Sequence, residues 1–163
     1  MFPDDIEALA RQVIEAASAR GLMVAAAESC TGGLVSAALT SVAGSSAVVE
    51  RGFVTYSNAA KSELLGVPAD LIDRHGAVSE PVARAMAEGA VSHSLAQVSV
   101  AVTGIAGPGG GSPDKPVGLV HFAASGPTGL IHVERRFGDI GREEVRLASL
   151  RVALDLLLDR IGA

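Results

Sequence analysis

An apolar run that passes directly into a glycine-rich turn is the feature that most restricts how this chain can fold. Leu22–Ala27 has the composition of a buried strand, and Leu34–Leu39 has that of a helix. Between them lies Glu28-Ser29-Cys30-Thr31-Gly32-Gly33. A hydroxyl residue thus ends a strand at a helix start, where free N–H groups and the helix dipole favour an anion. α/β proteins place nucleophiles and phosphate-binding loops at such positions.

Composition indicates one compact domain over residues 1–163, because 48% of the chain is hydrophobic and 19% is charged. There is no Trp and only one Tyr, so Val, Leu, Ile and Ala must build the core. The net charge of −5, without a basic cluster, argues against nucleic-acid binding. A small phosphorylated ligand held by backbone amides remains compatible with it.

The single cysteine, Cys30, excludes an internal disulfide, and no Cys/His spacing resembles a zinc site, so we expect no metal. The acidic start Met1–Asp5 lacks a signal-peptide pattern, and no apolar run reaches membrane-spanning length. We expect a cytoplasmic protein that binds no membrane.

Helical and strand-like periodicities alternate along the chain before a hairpin pattern appears. Asp4 or Asp5 is predicted to cap a first helix that Gly21 ends. Strands are predicted at Leu22–Ala27, Arg51–Tyr56, Val98–Val102, Val117–Ala123 and Leu130–Phe137, and further helices at Gly33–Thr40, Asn58–Leu65 (capped by Asn58), Pro68–Arg74, from Ser79 onward, and Arg142–Ile161. This order predicts a three-layer α/β/α sandwich with a mixed, mostly parallel sheet.

Ser29 is the first candidate for chemistry, although a hydroxyl before a helix is most often only a cap, and the same holds for Thr31. A serine nucleophile needs a base. The motif G-x-S-x-G is absent because Ala27 replaces the first glycine, and S-x-x-K is absent because Gly32 holds the fourth place. The four histidines, His75, His93, His121 and His132, have no obvious acidic partner, and we interpret them as surface or packing residues.

Lys61 is the candidate base, because it falls in the first turn of the predicted helix Asn58–Leu65. The helix dipole disfavours a cation there, and burial would lower the lysine pKa further. A neutral lysine beside Ser29 could act as general base, as in Ser–Lys enzymes. The alternative is a solvated surface lysine, the commonest fate of that residue.

A glycine-rich loop, Thr103–Ser112, follows the predicted strand Val98–Val102. A flexible surface loop is one interpretation. The other is a ligand site, because glycines after a central strand let backbone N–H groups approach a ligand closely. No lysine stands at the P-loop spacing. Polar or glycine-rich segments at successive strand ends predict one shared crevice at the sheet edge.

These segments closely resemble the C-terminal domain family of the competence/damage-inducible protein CinA, whose stand-alone members are nicotinamide-nucleotide amidases (PncC type). At every motif position, this sequence has the residue that the family pattern requires. The resembling stretches are AESCTGG (Ala27–Gly33), YSNAAK (Tyr56–Lys61), LLGV (Leu64–Val67), HGAVSE (His75–Glu80), AMAEGA (Ala85–Ala90), VTGIAGPGGG (Val102–Gly111) and KPVG (Lys115–Gly118).

The resemblance implies hydrolysis of the carboxamide of nicotinamide mononucleotide to nicotinate mononucleotide and ammonia, without a cofactor. It implies Ser29 as nucleophile with Lys61 and Tyr56 as activating partners. It also implies a fold related to anticodon-binding domains, with one strand antiparallel. Larger CinA proteins carry an additional N-terminal domain related to molybdopterin-binding domains, which we do not expect here.

Both lines of argument combine into one scheme in which Lys61, relayed through Tyr56, deprotonates Ser29. We expect backbone N–H groups of Cys30, Thr31, Gly32 and Gly33 to hold the oxyanion, and Asn58, Thr103, Gly104, Gly107, Gly109, Gly110 and Arg142 to hold the nucleotide. The small-molecule substrate is the expected partner, and a homo-oligomer stays open. The alternative is a non-catalytic nucleotide- or protein-binding module linked to competence or the DNA damage response.

Overall fold

The computed structural model describes residues 1–162, which form a five-stranded mixed sheet with helices on both faces. The strands are β1 (Val24–Glu28), β2 (Val49–Val54), β3 (Val98–Gly104), β4 (Leu119–Gly126) and β5 (Gly129–Arg136), in the order β2-β1-β3-β4-β5. β1 pairs in parallel with β2 and β3, whereas β4 pairs antiparallel with both β3 and β5. β4 alone therefore runs against the other strands, which confirms the predicted fold class.

The helices cover the sheet in two layers. They are α1 (Asp4–Arg20), α2 (Leu34–Thr40), α3 (Asn58–Leu65), α4 (Ala69–His75), α5 (Glu80–Ser92) and α6 (Arg142–Ile161), with a short 3₁₀ turn at Ser45–Ala47. Val24 and Ala26 of β1 pack into the core formed with α1, α2 and α6, whereas Ala25 and Ala27 pack into the core formed with α3, α4 and α5. All five residues of β1 are buried because the strand is covered on both faces.

Two predicted helix caps are wrong. Pro3 precedes α1 with no side-chain cap, so Asp4 and Asp5 lie in the first turn, where their charge still suits the dipole. Ser57 rather than Asn58 caps α3, because Ser57 has the extended backbone that an N-cap requires and its Oγ accepts the Ala60 N–H at 3.0 Å.

The observed strand boundaries differ from the predicted ones by a few residues, and the difference in β2 matters for the site. β2 spans Val49–Val54 rather than Arg51–Tyr56, since Val24 pairs with Val49 and Glu28 with Val54. Tyr56 therefore lies beyond the strand, at the same sheet edge as Ser29.

The helix at Arg142–Ile161 has the predicted bounds. None of the helices in residues 1–162 is both long and apolar enough to cross a membrane.

Gly89 of α5 determines how closely α3 can approach α5. A Cβ at this position would clash with the backbone carbonyl oxygen of Leu65, the last residue of α3. The absence of a side chain thus lets α5 pack against α3. Because α3 carries Lys61, this contact also contributes to where that side chain lies.

We predict that Gly89→Ala lowers the midpoint of thermal unfolding, although Gly-to-Ala in a helix interior normally stabilises by about 1 kcal/mol. The reason for the reversed sign is the clash with the Leu65 carbonyl. Calorimetry on this variant, with exposed Glu88→Ala in the same helix as control, checks it. A raised midpoint for Gly89→Ala would show that α3 and α5 adjust freely.

Candidate active site

The carboxyl ends of β1, β2 and β3 meet at one edge of the sheet, and a cavity of about 260 Å³ opens there. Ser29 follows β1, Tyr56 follows β2, and Thr103 and Gly104 end β3. The cavity is lined by Ser29, Cys30, Tyr56, Asn58, Lys61, Ala77, Val78, Thr103, Gly104, Ile105, Ala106, Gly107, Gly109, Gly110 and Arg142. The shared crevice predicted from the three segments is therefore present.

Ser29 and Lys61 are in contact at the base of this cavity. Lys61 Nζ lies 3.0 Å from Ser29 Oγ and donates a second hydrogen bond to the Thr55 carbonyl oxygen at 2.8 Å. The whole lysine is only 1% exposed, and Ser29 is 9% exposed. Lys61 is therefore not a surface lysine. Its side chain points back towards the start of α3, as helical side chains do.

No carboxylate neutralises Lys61, since it makes no salt bridge to an acidic group of residues 1–162. Burial lowers the pKa of Lys61, because desolvation penalises the charged form. A nearby thiolate would oppose this, but burial raises the pKa of Cys30 to about 12, which keeps that thiol neutral. A neutral amine can donate to Thr55 and accept the Ser29 proton at the same time.

Tyr56 lines the cavity, but its hydroxyl makes no hydrogen bond to Ser29 or Lys61. Its hydroxyl accepts a hydrogen bond from Arg142 Nη2 at 3.1 Å, and the residue is 62% exposed. Arg142 also donates to the Gly107 carbonyl oxygen at 2.8 Å. The expected relay from Lys61 through Tyr56 to Ser29 therefore has no counterpart in these contacts. Tyr56 and Arg142 instead join β2 to the glycine-rich loop across the cavity.

The glycines that line the cavity are required for different structural reasons. A Cβ on Gly104 would lie 2.7 Å from Val120 Cγ2, and one on Gly107 would lie 2.6 Å from Val117 Cγ1. Gly107 also has φ +84° and Gly110 has φ +87°, which favour glycine. A Cβ on Gly109 would meet nothing within 4 Å, so its missing side chain faces open space. Packing and backbone conformation thus explain most of these glycines without a ligand.

Thr103 and Asn58, two of the predicted binding residues, both line the cavity but differ in their surroundings. Thr103 is fully buried, and its Oγ1 donates to the Ala77 carbonyl oxygen at 2.9 Å, which fixes the Ala77–Val78 wall. Asn58 begins α3 and lies at the rim. Thr103 therefore acts here as a structural link, whereas Asn58 remains accessible to a ligand.

Thr31, Gly32 and Gly33 were expected in the site, but they do not line the cavity. Thr31 is fully buried, and its Oγ1 has no hydrogen-bond partner among residues 1–162. Gly32 and Gly33 have φ +57° and +106°, so they are needed for the turn itself. The start of α2 does hold an anion, but that anion is the Glu28 carboxylate, bonded to the Val35 and Ser36 N–H groups.

The expectation that no histidine pairs with an acid is wrong for two of them. His121 Nδ1 lies 2.9 Å from His132 Nε2, and their outer nitrogens lie 3.6 Å from Glu134 and Glu80 respectively. Burial lowers the pKa of both imidazoles. None of these four residues lines the cavity, so the cluster does not replace Lys61 as base. Within residues 1–162, no group of three His, Cys, Asp or Glu side chains is arranged to hold a metal.

Sequence reasoning missed two groups of residues. The wall residues Ala77, Val78, Ile105 and Ala106 carry no chemical signal, although Ile105 and Ala106 lie within the predicted loop. Arg146 and Glu28 were also missed. A carboxylate directly after four buried apolar residues, as in Val24–Glu28, is the signal that could have identified Glu28.

A buried Ser–Lys pair at the carboxyl edge of a three-layer α/β/α domain is the class of site that the geometry defines. The CinA C-terminal domain model matches residues 6–161, and the chain belongs to that family. A CinA-like protein of Anaeromyxobacter dehalogenans (strain 2CP-C) is 53% identical over 158 residues, covering 96% of this chain. A CinA-like protein of Synechococcus sp. (strain RCC307) is 52% identical over 157 residues. The chain spans 38% of the length of each of these relatives.

Solved structures show the same fold. The competence/damage inducible protein CihA of Agrobacterium tumefaciens superposes with a TM-score of 0.97 at 56% identity, covering 100% of this chain and 99% of that one. A CinA superfamily protein of Escherichia coli superposes with a TM-score of 0.90 at 36% identity, covering 97% of this chain and 92% of that one.

We predict that Lys61→Met raises the unfolding temperature at pH 7 and that this gain shrinks as pH rises. Because the folded-state pKa is lowered, the unfolded chain binds the extra proton between that pKa and about 10.4. Wild-type stability therefore increases with pH across this window, whereas the methionine variant lacks that increase. Thermal unfolding from pH 7 to 11 measures the difference, with Lys115→Met as the control for losing a lysine. A gain that is independent of pH would contradict the lowered pKa.

Proposed function

We propose that the protein is a nicotinamide-nucleotide amidase that hydrolyses the carboxamide of nicotinamide mononucleotide with Ser29 as nucleophile and Lys61 as general base. The observation that carries the proposal is the 3.0 Å contact between Ser29 Oγ and a buried lysine amine that has no carboxylate partner among residues 1–162. Serine becomes an effective nucleophile only beside such a base. The position of both residues at the cavity floor supports a role in turnover rather than in stability alone.

The proposed reaction begins when the neutral Lys61 amine takes the Ser29 proton and Ser29 Oγ bonds to the carboxamide carbon. The resulting lysine ammonium donates this proton to the leaving nitrogen as the carbon–nitrogen bond breaks. Ammonia departs, and an ester between Ser29 and the nicotinate carbonyl remains. Lys61, neutral again, then deprotonates a water molecule that attacks this ester. The lysine ammonium returns this proton to Ser29 Oγ as the ester bond breaks and nicotinate mononucleotide is released. The same amine thus serves as base and acid in both halves.

The Cys30 N–H group is the best-placed donor for the oxyanion. Two nearby N–H groups are used, since Ser29 N–H donates to the Val102 carbonyl and Gly32 N–H donates to the Ser29 carbonyl. Cys30 lines the cavity, and its N–H has no partner among residues 1–162. One such donor typically contributes about 3–4 kcal/mol to transition-state stabilisation. Because Thr31, Gly32 and Gly33 do not line the cavity, we narrow the expected oxyanion site from four residues to Cys30.

Arg142 is the only cation besides Lys61 among the residues that line the cavity, and it suits a phosphate group. It lines the cavity together with Asn58 and Gly109, and we expect the ribose phosphate to extend towards it from the reacting carboxamide. Its present bonds to Tyr56 and Gly107 leave three of its five N–H donors for a ligand. The proposed recognition of the substrate phosphate therefore depends on one charged side chain, that of Arg142.

A binding module connected with competence or DNA damage is the second candidate, because solved relatives bear the words competence and damage in their descriptions. The two candidates differ in what Ser29 and Lys61 must do. A module that only binds a nucleotide has no need of a neutral lysine against a serine hydroxyl. Ammonia release is therefore the deciding measurement.

We predict that Ser29→Ala and Lys61→Arg each reduce amidase turnover on nicotinamide mononucleotide by at least ~100-fold. Ser29→Ala removes the nucleophile, and a general base such as Lys61 typically contributes ~10²–10⁴. Arginine keeps the positive charge but cannot give up its proton near neutral pH. Wild-type kcat/KM should increase with pH through the lowered pKa of Lys61. Ammonia release at several pH values measures both effects.

Lys115→Arg is the matched control, because it makes the same replacement at a half-buried lysine outside the cavity. Circular dichroism establishes that each variant is folded. Substantial activity in folded Lys61→Arg would make Lys61 an electrostatic anchor and require another base. A wild-type protein that binds nicotinamide mononucleotide without releasing ammonia would favour the binding module.

A further inference from the structure

Glu28 is a completely buried carboxylate in a strand that is otherwise Val-Ala-Ala-Ala. It immediately precedes Ser29 in the chain. No lysine, arginine or histidine of residues 1–162 forms a salt bridge with it. Burying an ionised group without compensation is very costly, so its surroundings must provide other partners.

Those partners are all at the first turn of α2. Glu28 Oε1 accepts the Val35 N–H at 2.8 Å, and Oε2 accepts the Ser36 N–H at 3.1 Å and the Ser36 hydroxyl at 3.0 Å. Helix-start N–H groups carry the positive end of the helix dipole and are otherwise unpaired. The carboxylate and the helix start therefore satisfy one another.

The neighbouring strand is built around this contact. A Cβ at Gly52 of β2 would clash with the Ser36 hydroxyl oxygen, so glycine is required in the middle of that strand. Glycine in a strand interior is normally unfavourable. Its presence here makes room for the side chain that completes the Glu28 network.

The backbone of Glu28 connects this network to both members of the Ser–Lys pair. The Glu28 carbonyl accepts the Thr55 N–H at 2.9 Å, and the Thr55 carbonyl in turn accepts a hydrogen bond from Lys61. On the other side of the turn, Arg146 of α6 donates to the Cys30 and Thr31 carbonyls, each at 3.1 Å. The turn that carries Ser29 is thus held from β1 and from α6.

We propose that Glu28 is a positioning residue whose carboxylate, fixed by the start of α2, holds the Ser29 hydroxyl against the Lys61 amine. Its charge is neutralised by backbone N–H groups rather than by Lys61, which leaves that lysine without a counter-ion. This inference rests on the proposed Ser–Lys function but concerns a residue that never touches the substrate, since Glu28 does not line the cavity. Removing it should therefore reduce kcat and leave KM almost unchanged.

The test uses Glu28→Gln and Glu28→Asp, with exposed Glu15→Gln on α1 as matched control. The amide of Gln turns an NH₂ group towards backbone N–H donors, and Asp keeps the charge but is one methylene too short. We expect both variants to lose at least ten-fold in kcat for nicotinamide mononucleotide, with KM within three-fold of wild type. The Glu15→Gln control should match wild type. Should Glu28→Gln fail to fold, Glu28→Asp, which retains the charge, decides the outcome.

A second measurement does not depend on any substrate. The chain contains only two lysines, Lys61 and Lys115, so ¹³C-labelled lysine gives a Lys61 Cε signal that is easily assigned. In both Glu28 variants this signal should move towards its position in Ser29→Ala, because the contact with Ser29 is lost. If wild type releases no ammonia, the proposed function fails, while this signal still decides the role of Glu28.

Two results would overturn the proposal. One is a folded Glu28 variant whose kcat stays within two-fold of wild type or whose Lys61 signal stays at the wild-type position. The other is a Lys61 titration midpoint in Glu28→Gln far below those of both wild type and Ser29→Ala. The latter would make Glu28 the counter-ion of Lys61 rather than the residue that positions Ser29.

Discussion

The contact between a buried lysine amine and the Ser29 hydroxyl is the interaction on which the account of this protein depends. Lys61 is enclosed by the start of α3, the Thr55 carbonyl and the end of β1, and it makes no salt bridge to a carboxylate of residues 1–162. Burial disfavours the charged form of an amine. The enclosure therefore lowers the pKa of Lys61, which supports the base role that we propose for it.

Several features outside the cavity maintain this arrangement. Gly89 allows α5 to support α3, which carries Lys61, and Thr103 fixes the wall formed by Ala77 and Val78. Glu28 and Arg146 hold the turn of Ser29 from opposite sides. The site is therefore assembled from four secondary-structure elements that each contribute one constraint. This is typical of catalytic centres at the carboxyl edge of a parallel sheet.

The sequence alone predicted the layers, the single reversed strand and the convergence of three segments on one crevice. Periodicity and turn residues predict the helices and strands, because both are local patterns in the sequence. The family resemblance adds the single antiparallel strand. It could not predict that Ser57 rather than Asn58 caps α3, because both residue types favour that position. It also missed His121 and His132 as a pair, since their contact depends on the register between β4 and β5. The sequence also could not predict that the Tyr56 hydroxyl bonds to Arg142, because that contact depends on where the two side chains point in the folded chain.

The most direct measurement is the titration of the Lys61 Cε signal in ¹³C-lysine-labelled protein from pH 5 to pH 11, with Lys61→Met identifying the signal. The account predicts a midpoint below the ordinary lysine value of about 10.4, because burial disfavours the charged amine. It also predicts that the midpoint agrees with the pH at which kcat/KM is half its maximum. A midpoint at or above about 10.4 would mean that Lys61 is charged in the working range, and Lys61 could not then be the base.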